Sequence, residues 1–175
     1  MIVPDNKFQV KNGPDWETKT TDDYFKGKRV VVFSLPGAFT PTCSSKQLPK
    51  YEEMYNDFKE LGVDEVICVS VNDWFVMSAW FGAQAIENVK FIADGDGSFT
   101  KKMNMLVDKP LQGFGMRSWR YSMLVENKKI KKMFIEKGLN NQSFDSDPYE
   151  VSDPLTMLEY LQNPDQEEWV PAAQA

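Results

Sequence analysis

The sequence predicts an α/β fold: a mixed β-sheet flanked by α-helices, with an N-terminal extension ahead of it. Three observations lead there. The runs Arg29–Leu35 and Glu65–Val71 are short, β-branched and apolar on both faces, the pattern of parallel strands covered from both sides. Apolar residues at helical spacing follow each run, so strand and helix alternate through the first half of the chain. Later, two further apolar runs flank Asn127-Lys128 and read as an antiparallel hairpin. The 175 residues, 42% of them hydrophobic, suffice for one domain, placed at residues 1–162 with a polar tail at 163–175.

Each element has a local reason. Residues 1–20 are polar with scattered apolar positions and suggest a short hairpin turning at Asn12-Gly13-Pro14. Thr20-Thr21-Asp22-Asp23 starts a helix, with Thr or Asp as its cap, and Gly27 ends it. Pro36-Gly37 stops the first buried strand. The loop Ala38-Phe39-Thr40-Pro41-Thr42 then leads to Cys43 at the start of a helix. That helix carries Leu48, Tyr51, Tyr55 and Phe58 on one face and ends at Gly62. Pro49 lacks an N–H, so a kink or break is expected there. Asn72-Asp73 caps the next helix, which turns Trp74, Met77 and Phe81 inward. Val89–Ala93 is a third strand, closed by the turn Asp94-Gly95-Asp96-Gly97. Trp119–Glu126 and Lys129–Ile135 form the late hairpin. Asp153-Pro154 opens a last helix through Leu155, Leu158 and Leu161, with proline well placed in the first turn. The tail from Asn163 is expected to fray. This order is that of the thioredoxin fold with an N-terminal extension.

Composition excludes several functions. A net charge of -6 argues against nucleic acid and against an anionic membrane surface as partners. No basic start followed by an apolar stretch suggests a secretory leader, and Val30-Val31-Val32-Phe33 is far too short to span a bilayer. Cys43 and Cys68 alone make no disulfide framework, so a soluble cytoplasmic protein with reduced thiols is expected. The sequence contains no histidine, which removes Ser-His-Asp and Cys-His machinery and any histidine base. With no histidine and two cysteines, a zinc site is not expected. Chemistry must come from Cys, Lys, Arg, carboxylates, Tyr or a bound group.

Cys43 stands out by position. It follows a buried strand and opens a helix, where N–H groups and the macrodipole favour a negative charge. Such a place favours the thiolate, which is the reactive form of cysteine. Thr40 offers a nearby hydroxyl, and Pro36, Gly37 and Pro41 constrain the loop. The alternative is a small buried filler, a common fate of free cysteine.

The string Pro36-Gly37-Ala38-Phe39-Thr40-Pro41-Thr42-Cys43 decides between them, because it matches the P-x-x-x-T-x-x-C signature of the peroxiredoxins. Together with Val69-Ser70-Val71-Asn72-Asp73 and Trp119-Arg120-Tyr121-Ser122-Met123, it resembles the type-five subfamily over roughly Val30 to Leu161. The resemblance implies a thiol peroxidase that reduces hydrogen peroxide and alkyl hydroperoxides. Cys43 would be the peroxidatic cysteine and pass through a sulfenic acid. Thr40 would donate its hydroxyl toward peroxide and sulfur, Pro36 would shield the site from water, and Arg120 would be the family's arginine beside the thiolate. Pro36, Thr40 and Arg120 would together bind the peroxide. Arg117 competes for the arginine role and reads as a surface residue. Relatives often carry His at the position of Gln47, for which a structural role is expected here.

Cys68 lies mid-strand among apolar residues and reads as buried and inert, and no cysteine follows it. That implies a one-cysteine mechanism. In bacterial members of the subfamily the external reductant is usually glutathione, alone or with a separate glutaredoxin. No cofactor or metal is implied. Phe114, Met116 and Trp119 could form an exposed apolar rim near the site, and relatives use loops there for a homodimer. Two other readings compete: a thiol-disulfide exchange protein, disfavoured by the lack of C-x-x-C, and a redox sensor or binding module without turnover. Asp94-Gly95-Asp96-Gly97 reads as a turn rather than a calcium loop, and Gly113-Phe114-Gly115 as a flexible loop. Lys128, Lys129, Lys131 and Lys132 read as hairpin surface charges. Asn141-Gln142-Ser143 fits a glycosylation acceptor by formula only.

Overall fold

The computed structural model describes residues 1–139, 146–165, 167, 169 and 170. The chain begins with a hairpin, β1 (Lys7–Asn12) and β2 (Asp15–Thr20), followed by α1 (Thr21–Phe25) and β3 (Arg29–Leu35). A π-helical turn (Cys43–Gln47) runs into α2 (Leu48–Glu53) and α3 (Tyr55–Glu60). Next come β4 (Glu65–Ser70), α4 (Trp74–Ala83), β5 (Lys90–Ala93) and α5 (Ser98–Lys102). The hairpin β6 (Leu106–Lys109) and β7 (Gly115–Ser118) leads to β8 (Tyr121–Glu126), β9 (Lys129–Ile135) and α6 (Pro154–Gln162).

Five strands form the central mixed sheet in the order β5-β4-β3-β8-β9. The strands β3, β4 and β5 are parallel, as expected of chains that cross over through helices, and β8 and β9 add the antiparallel edge. Val32 of β3 pairs with Ile67 on one side and Met123 on the other. Alternation along β3 divides the core. Val31, Phe33 and Leu35 face α2, α3, α4 and α6, while Val30 and Val32 face α1, α5 and the N-terminal hairpin. The sheet therefore has cover on both faces, as its apolar strands require.

Local chemistry explains most boundaries. The Asp23 carboxylate accepts hydrogen bonds from the Thr20 N–H (2.8 Å) and hydroxyl (3.1 Å), which fixes the start of α1. Asp73 caps α4 through Val76 N–H, and Asp153 caps α6 through Thr156 N–H. Asn127 and Lys128 both have positive φ, as a tight two-residue hairpin demands.

Several expectations need correction. The helix after Cys43 does not break at Pro49. Leu48 N–H reaches back to Cys43 O, one residue further than in an α-helix, so the ladder changes register just where proline has no donor to give. The interruption comes instead at Met54. On α4, Trp80 is fully buried with Met77, whereas Trp74 is half-buried against Phe91. On α6, Met157 is buried and Leu155 exposed. The strand predicted to run to Val71 ends at Ser70. Two elements were not foreseen: α5, and the β6–β7 hairpin, which takes Gly113 and Gly115 at positive φ as part of a tight turn rather than a loose loop. Lys128 and Lys132 are half-buried and ion-paired, with Asp22 and Asp165 respectively. Within the predicted tail, Asp165 pairs with Lys132 and Trp169 packs on the core. The residues 166, 168 and 171–175 and the Asn141-Gln142-Ser143 triplet lie outside the described residues. Among the described residues, no helix is long and apolar enough to cross a membrane.

Candidate active site

The end of β3 delivers the loop that carries Cys43, and β4 ties it down. Asn72 Oδ1 accepts hydrogen bonds from the Ala38 N–H (3.0 Å) and from the Ser70 hydroxyl (2.6 Å). Phe39 holds φ at 63°, a left-handed conformation that costs a non-glycine residue roughly 1–2 kcal/mol. Gly37 makes room for Arg117: a Cβ there would lie 2.5 Å from Arg117 Nη1 and 3.3 Å from Thr40 Cγ2, so any larger residue would push the end of the arginine aside. Helical backbone begins ahead of Cys43, and the Ser44 N–H donates to Thr40 O at 3.0 Å. The π turn then starts at Cys43 itself. Such turns are frequent at functional sites.

Cys43 is 1% exposed, and Arg120 Nη1 lies 3.4 Å from its sulfur. Arg120 sits just ahead of β8, antiparallel to β3, which explains how residues so distant in sequence meet. Its side chain is equally buried and held at both ends of its fork. Nη1 also donates to Gln47 Oε1, and Nη2 donates to Asp147 Oδ1. Burial alone would lower the guanidinium pKa, but the Cys43 thiolate and Asp147 outweigh it and raise it. Gln47, one helical turn beyond Cys43 and wholly buried, thus braces the arginine, which gives physical content to its expected structural role.

Thr40 lies where the sequence predicts but is wired differently. Its hydroxyl donates to Gly37 O at 2.7 Å rather than to the sulfur. With its proton committed, the oxygen offers lone pairs, so it can accept a hydrogen bond from a peroxide O–H. Pro36 is buried beneath the loop, and its carbonyl accepts a hydrogen bond from Arg117 Nη1 at 3.3 Å. Arg117 is therefore not the surface residue expected. It is half-buried, stacks on Phe114 at 5.2 Å and shares the electrostatic field of Cys43. Burial lowers its pKa and the thiolate opposes that shift.

Other residues escaped the sequence altogether. Lys109, at the end of β6, is 2% exposed; its ammonium donates to Ser146 O at 3.3 Å and sits over Trp119 at 5.3 Å. Burial lowers its pKa, while Asp147 and Cys43 pull the other way. Glu136, just past β9, is buried and accepts hydrogen bonds from Glu150, Val151 and Ser152 N–H and from the Ser152 hydroxyl. Trp119 was expected on an exposed rim. It is buried instead, donating Nε1–H to Glu136 O at 2.8 Å, while Phe114 is half-buried and Met116 exposed. The exposed apolar side chains from these loops are Phe39, Leu111 and Met116.

Cys68 lies mid-strand in β4, fully buried, and burial pushes its thiol pKa well up. It belongs to the same core cluster as Cys43, and both thiols are free. Among the described residues, no three thiol or carboxylate side chains gather in a way that could hold a metal ion. The site therefore combines a buried thiol, a guanidinium aimed at it, an acceptor hydroxyl and a carbonyl-lined loop. That set can activate a sulfur nucleophile and steady negative charge on a departing oxygen.

Comparison with known proteins agrees with this chemistry. The Redoxin family matches residues 3–149. A peroxiredoxin of Synechocystis sp. is 55% identical over 159 residues, covering 91% of this chain and 84% of that protein. The hybrid peroxiredoxin hyPrx5 of Haemophilus influenzae is 54% identical over 91% of this chain, which spans 64% of that longer protein. The crystal structure of the Plasmodium falciparum antioxidant protein, a 1-Cys peroxiredoxin, superposes with a TM-score of 0.87 at 41% identity, over 93% of this chain and 97% of that one. The matched stretch runs through the Cys43 loop and the Arg120 segment alike: the chain belongs to the peroxiredoxin family, thiol-dependent peroxidases, in its type-five branch with a thioredoxin-like fold.

Proposed function

We propose that this peroxidase works by a one-cysteine mechanism in which Cys43 is the nucleophile. The observation that carries it is the 3.4 Å approach of Arg120 Nη1 to the buried Cys43 sulfur. The thiolate attacks the terminal oxygen of hydrogen peroxide or an alkyl hydroperoxide. The S–O bond forms as the O–O bond breaks, and sulfur is oxidised by two electrons. The departing oxygen keeps the bonding pair and leaves, once protonated, as water or an alcohol. Arg120 holds the negative charge that moves from sulfur to that oxygen. The Thr40 oxygen accepts a hydrogen bond from the peroxide O–H and keeps both oxygens in line with the sulfur, supplying orientation. Pro36 keeps water out.

Cys43 is left as a sulfenic acid. A first glutathione converts it to a mixed disulfide and releases water. A second glutathione, or a separate glutaredoxin, releases the Cys43 thiol and carries away the disulfide. Two points favour an external thiol over Cys68: the buried, protonated state of Cys68, and the likeness to the 1-Cys peroxiredoxin of Plasmodium falciparum. Further peroxide would carry the sulfenic acid to sulfinic acid and inactivate it. Two free cysteines suit a reducing cytoplasm, the compartment we assign. No resident cofactor is needed. The exposed Phe39, Leu111 and Met116 favour a homodimer pairing near the site.

Peroxide consumption with glutathione, with and without glutaredoxin, tests this reading. Turnover that vanishes in Cys43→Ser and survives in Cys68→Ser is expected. Turnover lost equally in Cys68→Ser would make Cys68 the resolving thiol, and oxidation without turnover under any thiol donor would leave a sensor.

A further inference from the structure

We propose that Asp147 is a positioning residue of the peroxidase reaction, held against Arg120 by two clamps, Lys109 and Glu136. The inference rests on the peroxidase reading above and assigns roles to three charged side chains beyond it.

The geometry of Arg120 sets the problem. Among the described residues its buried Nε has no partner, and the guanidinium is held there through its two outer nitrogens. Nη1 meets Gln47 Oε1 and the Cys43 sulfur, and Nη2 meets Asp147 Oδ1 at 2.5 Å. Asp147 does not touch the sulfur. Its contact settles which way the fork faces, because a planar guanidinium anchored at one end alone can swing about its Cδ–Nε bond. The Tyr149 ring lies 5.5 Å from the Arg120 Cζ and limits motion out of the plane.

Asp147 lies on a segment outside any helix or strand, and such a segment would not hold a carboxylate still by itself. Two buried charges do so. On one side Lys109 donates to Ser146 O, the residue before Asp147. Its ammonium is removed from water and faces the Asp147 charge, a burial that is tolerable only when compensated. On the other side the Glu136 carboxylate gathers the N–H groups of Glu150, Val151 and Ser152, and the Tyr51 hydroxyl donates to Ser152 O at 2.6 Å. Asp147 and Tyr149 sit between the clamps. A buried lysine and a buried glutamate that both grip one irregular segment beside the nucleophile are costly for stability alone. They make sense if the segment must place a charge.

The experiment measures oxidation of Cys43 by hydrogen peroxide in the reduced full-length protein, by stopped-flow tryptophan fluorescence, alongside alkylation of Cys43 by iodoacetamide. Loss of Asp147 has opposed effects on the thiolate, since an anion disappears while the arginine loosens. Alkylation should therefore stay within about threefold, whereas peroxide reduction needs the in-line geometry and should fall by roughly 10- to 100-fold in Asp147→Ala. Asp147→Asn, still able to accept from Nη2, should recover most of the loss. Lys109→Met should slow oxidation less than Asp147→Ala, and the double variant should be no slower than Asp147→Ala, because both act through one contact. Oxidation of Asp147→Ala within about threefold of the natural protein overturns the proposal, as does alkylation falling in parallel with oxidation. Additive losses in the double variant overturn the part given to Lys109. A natural protein inert to peroxide would overturn this proposal and the peroxidase reading together; an active natural protein with an equally active Asp147→Ala overturns this proposal alone.

Discussion

Replacing Arg120 by lysine keeps the charge and removes the fork. In the natural protein one outer nitrogen reaches the Cys43 sulfur at 3.4 Å while the other reaches Asp147 at 2.5 Å. A lysine ammonium is a single point and cannot occupy both places. Loss of one preorganised donor at developing charge costs about 10²–10³ in rate, or about 2.7–4 kcal/mol. Because a positive charge survives nearby, the lower end applies, and Arg120→Lys should slow Cys43 oxidation by about 10²-fold. Stability should fall less. The Asp147 side chain is 41% exposed and can turn to water, so its loss of a partner is screened. Gln47 cannot turn to water: it is wholly buried and, among the described residues, its Nε2 already lacks a partner. Leaving its oxygen unpaired as well costs about 1–3 kcal/mol. Stopped-flow oxidation and urea unfolding of the two proteins measure both terms. A variant that reacts with peroxide within about threefold of the natural rate would refute the reasoning, because charge alone would then suffice and the fork would be idle.

Three further outcomes follow from the same contacts. Glu136→Ala strands the buried Ser152 N–H and hydroxyl together with the part-buried N–H groups of Glu150 and Val151, and at about 1–3 kcal/mol for each buried group it should cost on the order of 2–4 kcal/mol in urea unfolding; a loss under about 1 kcal/mol would mean that the segment is held some other way. Cys68, Tyr51 and Tyr121 have their pKa values raised by burial, and Tyr24 is pushed up to about 12, so above pH about 9 the unfolded chain loses protons that the folded chain keeps. Stability should therefore decline from about pH 9 upward, by up to about 1.4 kcal/mol per pH unit for each such group, and a flat profile between pH 8 and 11 would contradict these burials. Gly37→Ala places a Cβ against the flexible end of Arg117, so the fold should persist while the Arg117–Pro36 bond is lost, and Cys43 oxidation should slow by about tenfold or less; an unchanged rate would remove Arg117 from the site.

The sequence showed whatever is local. The β-branched runs of β3 and β4, the capping residues Asp73 and Asp153 and the turn at Asn127-Lys128 are short-range signals, and they sit where predicted. The Cys43 loop was legible because proline, threonine and cysteine keep a fixed spacing inside it. Residues whose burial is decided at long range were not. Lys109, Glu136 and Asp147 are charged, and charge by itself predicts solvent. Lys109 and Glu136 are brought inside by partners across the fold, Ser146 for Lys109 and Glu150 to Ser152 for Glu136, while Asp147 stays part-exposed and is turned toward the site by Arg120. Arg117 misled for the same reason, since nothing near it in sequence announces the Pro36 carbonyl. Trp119 misled in the opposite direction: flanked by polar and charged residues, it looked like rim, but its Nε1–H has a buried acceptor. The π turn was half-visible. Pro49 signalled that the helical ladder must change, but whether the chain kinks or changes register depends on packing around Cys43.

The one-cysteine mechanism is tested most directly by the fate of the two sulfurs after one equivalent of hydrogen peroxide, read by intact mass and by a sulfenic-acid trap such as dimedone. A single added oxygen is expected, trapped at Cys43, with Cys68 still a thiol that alkylates only after unfolding. A Cys43–Cys68 disulfide, or trapping at Cys68, would contradict it.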